Sequence, residues 1–477
     1  MCGAPHLPLP SDSTPVNGRL ASIVVAAALA AAVLLCPAAQ AKSKAKKKKV
    51  KPPPTLTLSA GLTSGPGLLV AHPPVGLSIE YPLMAADLGT ASCPPPALAA
   101  EMQRLGSPRL SLGGQSQDFT SPAPPASPPP SWEAATTYSL PSSFWAQLRC
   151  LLGTTRQPLT AGLNLRSGQL SWAEAMIAGA QQAAGAGVQF SLGNEPDIYY
   201  LPNYLSLAKT QLGEEAKAVS LYEQVAAYLR QAIGSQPVIG PELANPAHWR
   251  AALPGVISAL HPQTLGVHSY PLSVCHSPRE ATIHGLLAKS VGNAPRRMAW
   301  VVADARAAGV PAVISEANSV SCGGKAGVSD SSASAVWAVR FVLAALETGF
   351  GEVSFHLSGN PYDPFYLRGA EVVRRPVEGA LVALQQWFPA GATLRSARSV
   401  GAVSVASVST AGSEPLLILD NEAAKPAKLL LRGAAAVSAV QAFTPSGSGG
   451  VALAPSGSGR WLLTLPADGV LALRFAP

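Results

Sequence analysis

The segment "VQFSLGNEPDIY" (residues 188–199) is apolar through Leu192 and then places Gly193, Asn194, Glu195 and Pro196 in succession. A short apolar run that stops at a glycine and a proline reads as a buried strand followed by a turn. Glu195 therefore stands at a strand end, where a carboxylate contributes nothing to a core. The neighbouring sequence repeats the pattern. Strand-like runs fall at "VGLSIEY" (75–81), "RLSLGG" (109–114), "LTAGLNLR" (159–166), "PVIGPEL" (237–243), "TLGVHSY" (264–270), "PAVISEA" (311–317) and "EVSFHLS" (352–358). Between them lie amphipathic stretches such as "PALAAEMQRLG", "SWAEAMIAGAQQAAGAG" and "SSASAVWAVRFVLAALETGFG", with apolar residues recurring at three and four. Eight strands, each followed by a helix, predict an α/β fold of the (β/α)8 TIM-barrel type.

The period changes near residue 390, where short alternating strands separated by Gly, Ser, Pro and Asn turns take over. The expected organisation is a barrel over 71–388 and an accessory C-terminal β-sandwich over 389–477, with residues 54–70 lending it one or more strands. The proline-rich "SPAPPASPPP" (121–130) reads as a loop after the second strand.

The chain has 477 residues, 48% hydrophobic and 13% charged, enough for a large core. Its net charge of +8 is confined to one end. Seven lysines, Arg19 and a single acid, Asp12, lie within residues 1–51, which leaves 26 basic against 25 acidic residues beyond. Nothing in that body suggests a cationic groove, so no nucleic-acid partner is expected. "LASIVVAAALAAAVLLCPAAQA" follows Arg19 and ends in Ala39-Gln40-Ala41, which reads as a signal peptide over 1–41. A lysine-rich flexible linker over 42–53 follows. The alternative is an uncleaved membrane anchor through residues 20–36. Either way the body is exported, to the cell envelope or beyond. Beyond residue 41 four cysteines remain, an even count that permits two disulfides in three connectivities, with buried free thiols as the competing reading. Cys275 follows the sixth strand and Cys322 the seventh, so neighbouring loop tips can join them; Cys93–Cys150 follows by elimination.

In such a barrel the chemistry gathers at the C-terminal strand ends. Glu80, Asp118, Asn194, Glu195, His268, Tyr270, Glu316, Asn318 and His356 all fall there. Glu195 after the fourth strand and Glu316 after the seventh are carboxylates on opposite sides of one mouth. Glycoside hydrolysis needs that pair, one to protonate the departing oxygen and one to attack the sugar. Their environments must differ so that one is protonated while the other is ionised. The motifs exclude other chemistry: there is no His-Glu-x-x-His, no zinc-type cysteine pair and no phosphate loop, so neither metal nor cofactor is expected.

"GLSIEY", "GGQSQD", "SLGNEPDIY", "VHSYPLS", "VISEANSVSCGGKAGVSD" and "SFHLSGNPYDPF" together resemble, in order and spacing, glycoside hydrolase family 79, the heparanase-like β-glucuronidases. The resemblance runs from about residue 70 to 475. It implies Glu195 as acid/base and Glu316 as nucleophile, Asn194 on the sugar 2-hydroxyl, and Tyr270 on the nucleophile. His268, Glu80 and Asp118 would line the sugar site. Consecutive glycines can turn backbone N–H groups toward one anion; the resemblance implies that Gly323 and Gly324, with Tyr362, receive a uronic acid carboxylate. One departure stands out. Where the family carries an arginine two residues before the glycine pair of the second strand, this chain has Ser111, with Arg109 one pleat lower. The expected function is a retaining exo-β-glucuronidase acting on a terminal uronic acid by double displacement. The alternatives are a carbohydrate-binding protein with impaired catalysis, or a clan A glycosidase for a neutral sugar.

Overall fold

The computed structural model describes residues 55–59, 67–122, 137–167, 169–198, 215–434 and 436–476. The expected signal peptide (1–41), the expected lysine-rich linker (42–53) and most of the proline-rich stretch lie outside the described residues.

The eight apolar runs become eight parallel strands of one closed barrel. They are β1 (Val75–Glu80), β2 (Leu110–Gly113), β3 (Leu159–Leu163), β4 (Gln189–Leu192), β5 (Val238–Leu243), β6 (Thr264–Ser269), β7 (Ala312–Ala317) and β8 (Val353–Leu357). β8 closes onto β1 with Val353 opposite Val75 and Leu357 opposite Ile79. Each strand is followed by a helix, from Pro96–Arg104 after β1 to Ser332–Thr348 after β7 and Pro376–Trp387 after β8. Proline opens the first and last of these, where its missing N–H costs nothing.

Period-two alternation divides each strand between two environments. Leu77, Ile79, Leu112, Phe190, Val267 and Phe355 face outward into the main hydrophobic core with the helices. The inward set is different. Ser78, Ser111, Thr160, Ser191, Glu242 and Ser315 surround the barrel axis, where aliphatic layers are the usual filling. Toward the N-terminal strand ends a cavity of about 80 Å³ carries Arg109 and Glu352, 3.5 Å apart. The axis is thus polar, and its buried groups need partners.

Two antiparallel-rich sheets follow the barrel. Among the described residues the larger has seven strands, including Ala392–Val400, Leu416–Asn421 and Gly469–Ala476, and the smaller has four, including Ala427–Arg432 and Arg460–Leu465. Alternating valines and leucines, among them Val403, Leu417, Leu429, Leu463 and Leu471, form the core between the sheets. Two segments before the barrel join them, Leu68–Val70 beside Ala392–Val400 and Leu56–Ser59 parallel to Ala427–Arg432. Arg340 of helix Ser332–Thr348 ties barrel to sheets. Its guanidinium is buried and meets Asp420 at 2.8 and 2.9 Å.

Disulfides join Cys93 to Cys150 and Cys275 to Cys322, as suits an oxidising compartment. The second clips together Leu272–Ser273 and Val320–Ser321, which pair as a short parallel ladder above β6 and β7. Among the described residues no helix is long and apolar enough to cross a membrane.

Candidate active site

Barrel closure brings the two carboxylates together at the C-terminal mouth. One oxygen each of Glu195 and Glu316 and one nitrogen of His268 lie within 4.8 Å of one another. Glu195 follows β4 with φ +53°, a left-handed conformation that costs a non-glycine residue about 1–2 kcal/mol. Its N–H donates to the Glu242 carbonyl at 3.0 Å, and its Oε1 lies 2.9 Å from His268 Nδ1. Glu316, near the end of β7, is buried. Tyr270 Oη donates to its Oε1 at 2.7 Å, His268 Nδ1 lies 3.9 Å from the same oxygen, and His356 Nδ1 lies 3.4 Å from Oε2.

His356, on β8, sits between two acids. Its Nε2 is 3.3 Å from Glu80 Oε1, and Ser78 Oγ is 3.1 Å from its Nδ1. The backbone N–H of Ser116 holds the other Glu80 oxygen at 2.7 Å. Gly114 is required here: a Cβ on it would meet His356 Cε1 at 2.6 Å.

These neighbours set the charges. Burial opposes protonation of His268, but Glu316 and the hydrogen-bonded Glu195 outweigh it and push the imidazole up to about 10. Burial likewise opposes charge on His356, while Glu316 and Glu80 push it up to about 9. Both rings are imidazolium at neutral pH. For Glu316 burial acts upward, yet His356, His268 and the Tyr270 hydroxyl overcome it and hold the carboxyl below its ordinary range. The Tyr270 phenol is raised well above its usual value by burial and by Glu316, so it remains a donor. One carboxylate is therefore held ionised beside a second that shares a hydrogen bond with an imidazolium. That arrangement can attack an electrophilic carbon and pass a proton on opposite sides of one bond.

The remaining sequence-derived positions divide into three groups. Asn194 is buried with its amide nitrogen lacking a protein partner among the described residues, at the edge of the same small cavity as Glu316. Tyr362 packs at the mouth, its ring 6.3 Å from Tyr270 and 6.0 Å from His356, with its hydroxyl 2.6 Å from Ser358 Oγ. Gly323 and Gly324 have φ of +88° and +76°, following Cys322 at +62°. Neither glycine N–H has a hydrogen-bond partner among the described residues. A Cβ on Gly324 would meet Tyr362 Cδ1 at 2.9 Å, so glycine and tyrosine form one wall. Asp118 is fully buried within the 3₁₀ turn Gly114–Phe119. Asn318 is structural, its amide bonding the carbonyls of His356 and Tyr362.

Arg109 does not reach the site, since it pairs with Glu352 at the opposite end of the barrel. Ser111 lies in register with Ser78, the residue beside His356. Glu195, His268 and Glu316 have a spacing that would also admit a cation. Their mutual contacts already satisfy the same atoms. Sequence reasoning missed Ser78, Glu242 and Asp197. Ser78 and Glu242 stand on the inward parity of their strands, a signal legible in the alternation; Asp197 had none.

No protein-family model matches the sequence, and no curated protein does. Solved structures do match in fold. A 4-O-α-L-rhamnosyl-β-D-glucuronidase from Fusarium oxysporum superposes with a TM-score of 0.66 at 18% identity, over 88% of this chain and 100% of that one. A family 51 α-L-arabinofuranosidase from Bifidobacterium longum gives 0.63 at 11% identity, over 88% and 99%. A family 30 subfamily 8 xylanase from Clostridium acetobutylicum gives 0.54 at 14%, over 89% and 100%. These likenesses, all below 25% identity, lie in the fold and cover most of this chain.

Proposed function

We propose that this chain is a retaining glycoside hydrolase that releases a terminal β-linked uronic acid from a glycan or glycoside outside the cell. The observation that carries the reading is the pair Glu195 and Glu316, with one oxygen of each within 4.8 Å at the barrel mouth. Retaining enzymes hold their carboxyl groups about 5–5.5 Å apart, and inverting ones need about 6.5–9.5 Å to admit a water.

In this mechanism Glu316 attacks the anomeric carbon while the proton held on the Glu195–His268 pair passes to the departing glycosidic oxygen. The C–O bond to the aglycone breaks and an ester to Glu316 forms. The Glu195 carboxylate then takes a proton from water, whose oxygen displaces Glu316 and regenerates the site. The buried Asn194 amide nitrogen, without a protein partner among the described residues, supports a contact to the sugar 2-hydroxyl. The N–H groups of Gly323 and Gly324, without a hydrogen-bond partner among the described residues and walled by Tyr362, support a carboxylate on the sugar. The glucuronidase among the fold relatives points the same way.

Purified protein assayed on a panel of aryl β-glycosides tests this. Hydrolysis of the glucuronide should exceed that of the glucoside by about a hundredfold or more, since two charge-assisted bonds of about 1.5–3 kcal/mol each are at stake. Glu316→Gly should abolish turnover, and azide should restore it as the α-glycosyl azide. Equal rates on both sugars would sink the uronate assignment. Binding without turnover above the Glu316→Gly level would make the chain a carbohydrate-binding protein.

A further inference from the structure

The loop that carries Glu195 is fastened to its neighbouring strand by something other than the sheet. Regular pairing between β4 and β5 covers Phe190 with Val238 and Ser191 with Ile239, and ends there. Beyond it three bonds to the end of β5 take over. The Glu195 N–H donates to the Glu242 carbonyl at 3.0 Å. Two residues later the Asp197 carboxylate accepts the backbone N–H of Ala244 on Oδ1 and that of Asn245 on Oδ2, each at 2.8 Å. Asp197 is fully buried, and His248 Nδ1 stands 3.5 Å from its Oδ2. Glu195 is thus flanked by attachments on both sides of Pro196 while its own backbone is left-handed. The Ser191 hydroxyl, below the loop, bonds the Glu242 carboxyl, so the strand being gripped is itself anchored within the barrel.

The geometry points to Asp197 as the positioning residue for Glu195: its bidentate grip on the Ala244 and Asn245 amides holds the acid/base carboxyl in its strained place beside His268. A left-handed glutamate persists only where its surroundings over-determine it, and a buried carboxylate bonded to two backbone donors is a strong constraint. Two residues of chain leave little slack between Asp197 and Glu195, so releasing the grip displaces the carboxyl relative to a leaving-group oxygen. Asp197 touches no substrate; it acts through Glu195. The inference rests on the assignment of Glu195 as acid/base.

The test uses the full-length protein with D197N, E195Q and H248Q, and two aryl β-glucuronides, one with a dinitrophenyl leaving group and one with a methoxyphenyl group. Only the second needs a proton on its departing oxygen. D197N, nearly isosteric but short of one acceptor, is expected to lower kcat/KM for the methoxyphenyl substrate by about tenfold or more and for the dinitrophenyl substrate by less than about threefold. Azide should accelerate dinitrophenyl turnover by D197N, because the misplaced base slows hydrolysis of the glycosyl-enzyme. A purely structural aspartate would lower both substrates equally and give no azide effect, and that result overturns the proposal. If D197N does not fold, H248Q, at a partly exposed contact to Asp197, should show a smaller shift in the same leaving-group-dependent sense; equal losses there overturn it too. E195Q separates the two levels: without leaving-group dependence in E195Q the acid/base assignment itself fails, whereas dependence in E195Q but not in D197N removes only the role of Asp197.

Discussion

Tyr270→Phe should shift the pH at which Glu316, the proposed nucleophile, becomes competent. The Tyr270 hydroxyl donates to Glu316 Oε1 at 2.7 Å, and the phenol keeps its proton throughout the working range. A hydrogen bond to a charged group contributes about 1.5–3 kcal/mol, and one pKa unit corresponds to about 1.36 kcal/mol. Removing the donor destabilises the ionised form alone, so the Glu316 carboxyl should rise by about 1–2 units. The two imidazolium groups, His356 at 3.4 Å and His268 at 3.9 Å, remain and prevent a larger shift. The acid limb of kcat/KM reports that ionisation in the free enzyme. It should therefore move up by about 1–2 units, with activity well below the limb reduced about ten- to a hundredfold and activity near neutral pH reduced far less. The assay is hydrolysis of a fluorogenic aryl β-glucuronide from about pH 3 to about pH 9 at constant ionic strength. Tyr362→Phe is the control, because that hydroxyl meets Ser358 rather than Glu316. A uniform loss across pH, with the acid limb unmoved, would refute the reasoning.

Other perturbations test other parts of the structure. Gly324→Ala places a Cβ 2.9 Å from Tyr362 Cδ1 at a left-handed φ; the ratio of glucuronide to glucoside kcat/KM should fall about tenfold, whereas misfolding alone would lower both rates together. Asp420→Asn leaves the buried Arg340 guanidinium without its counter-charge, so denaturant unfolding should show a loss of about 3–5 kcal/mol while the folded variant keeps its activity. His268 and His356 titrate near 10 and 9 when folded, above the ordinary value of 6.5. The stability they contribute is complete below about pH 6.5 and is lost as pH rises through about 9 to 10. Melting temperature should accordingly fall between about pH 7 and about pH 10, and His356→Gln should flatten that fall.

Local pattern determined a good deal by itself. The eight apolar runs, each ending in glycine, proline or a polar residue, identify eight strands because burial on both faces and chain reversal leave marks within a few residues. Strand ends then locate Glu195 and Glu316, since a barrel brings all of its C-terminal strand ends to one face. What sequence could not decide is which groups meet across the barrel. His356 reaches Ser78, 278 residues away, only because β8 closes onto β1. The Glu195 loop is held by Asp197 on the Ala244 and Asn245 amides, contacts between side chain and backbone that leave no periodicity to read. The charge states follow the same division. An isolated histidine or glutamate has an ordinary pKa, and the two imidazolium rings and the ionised Glu316 exist only because closure buries them within a few ångströms of one another. Propensity acts over one turn or one strand, whereas electrostatic partnership acts through space, and only the tertiary fold sets that distance.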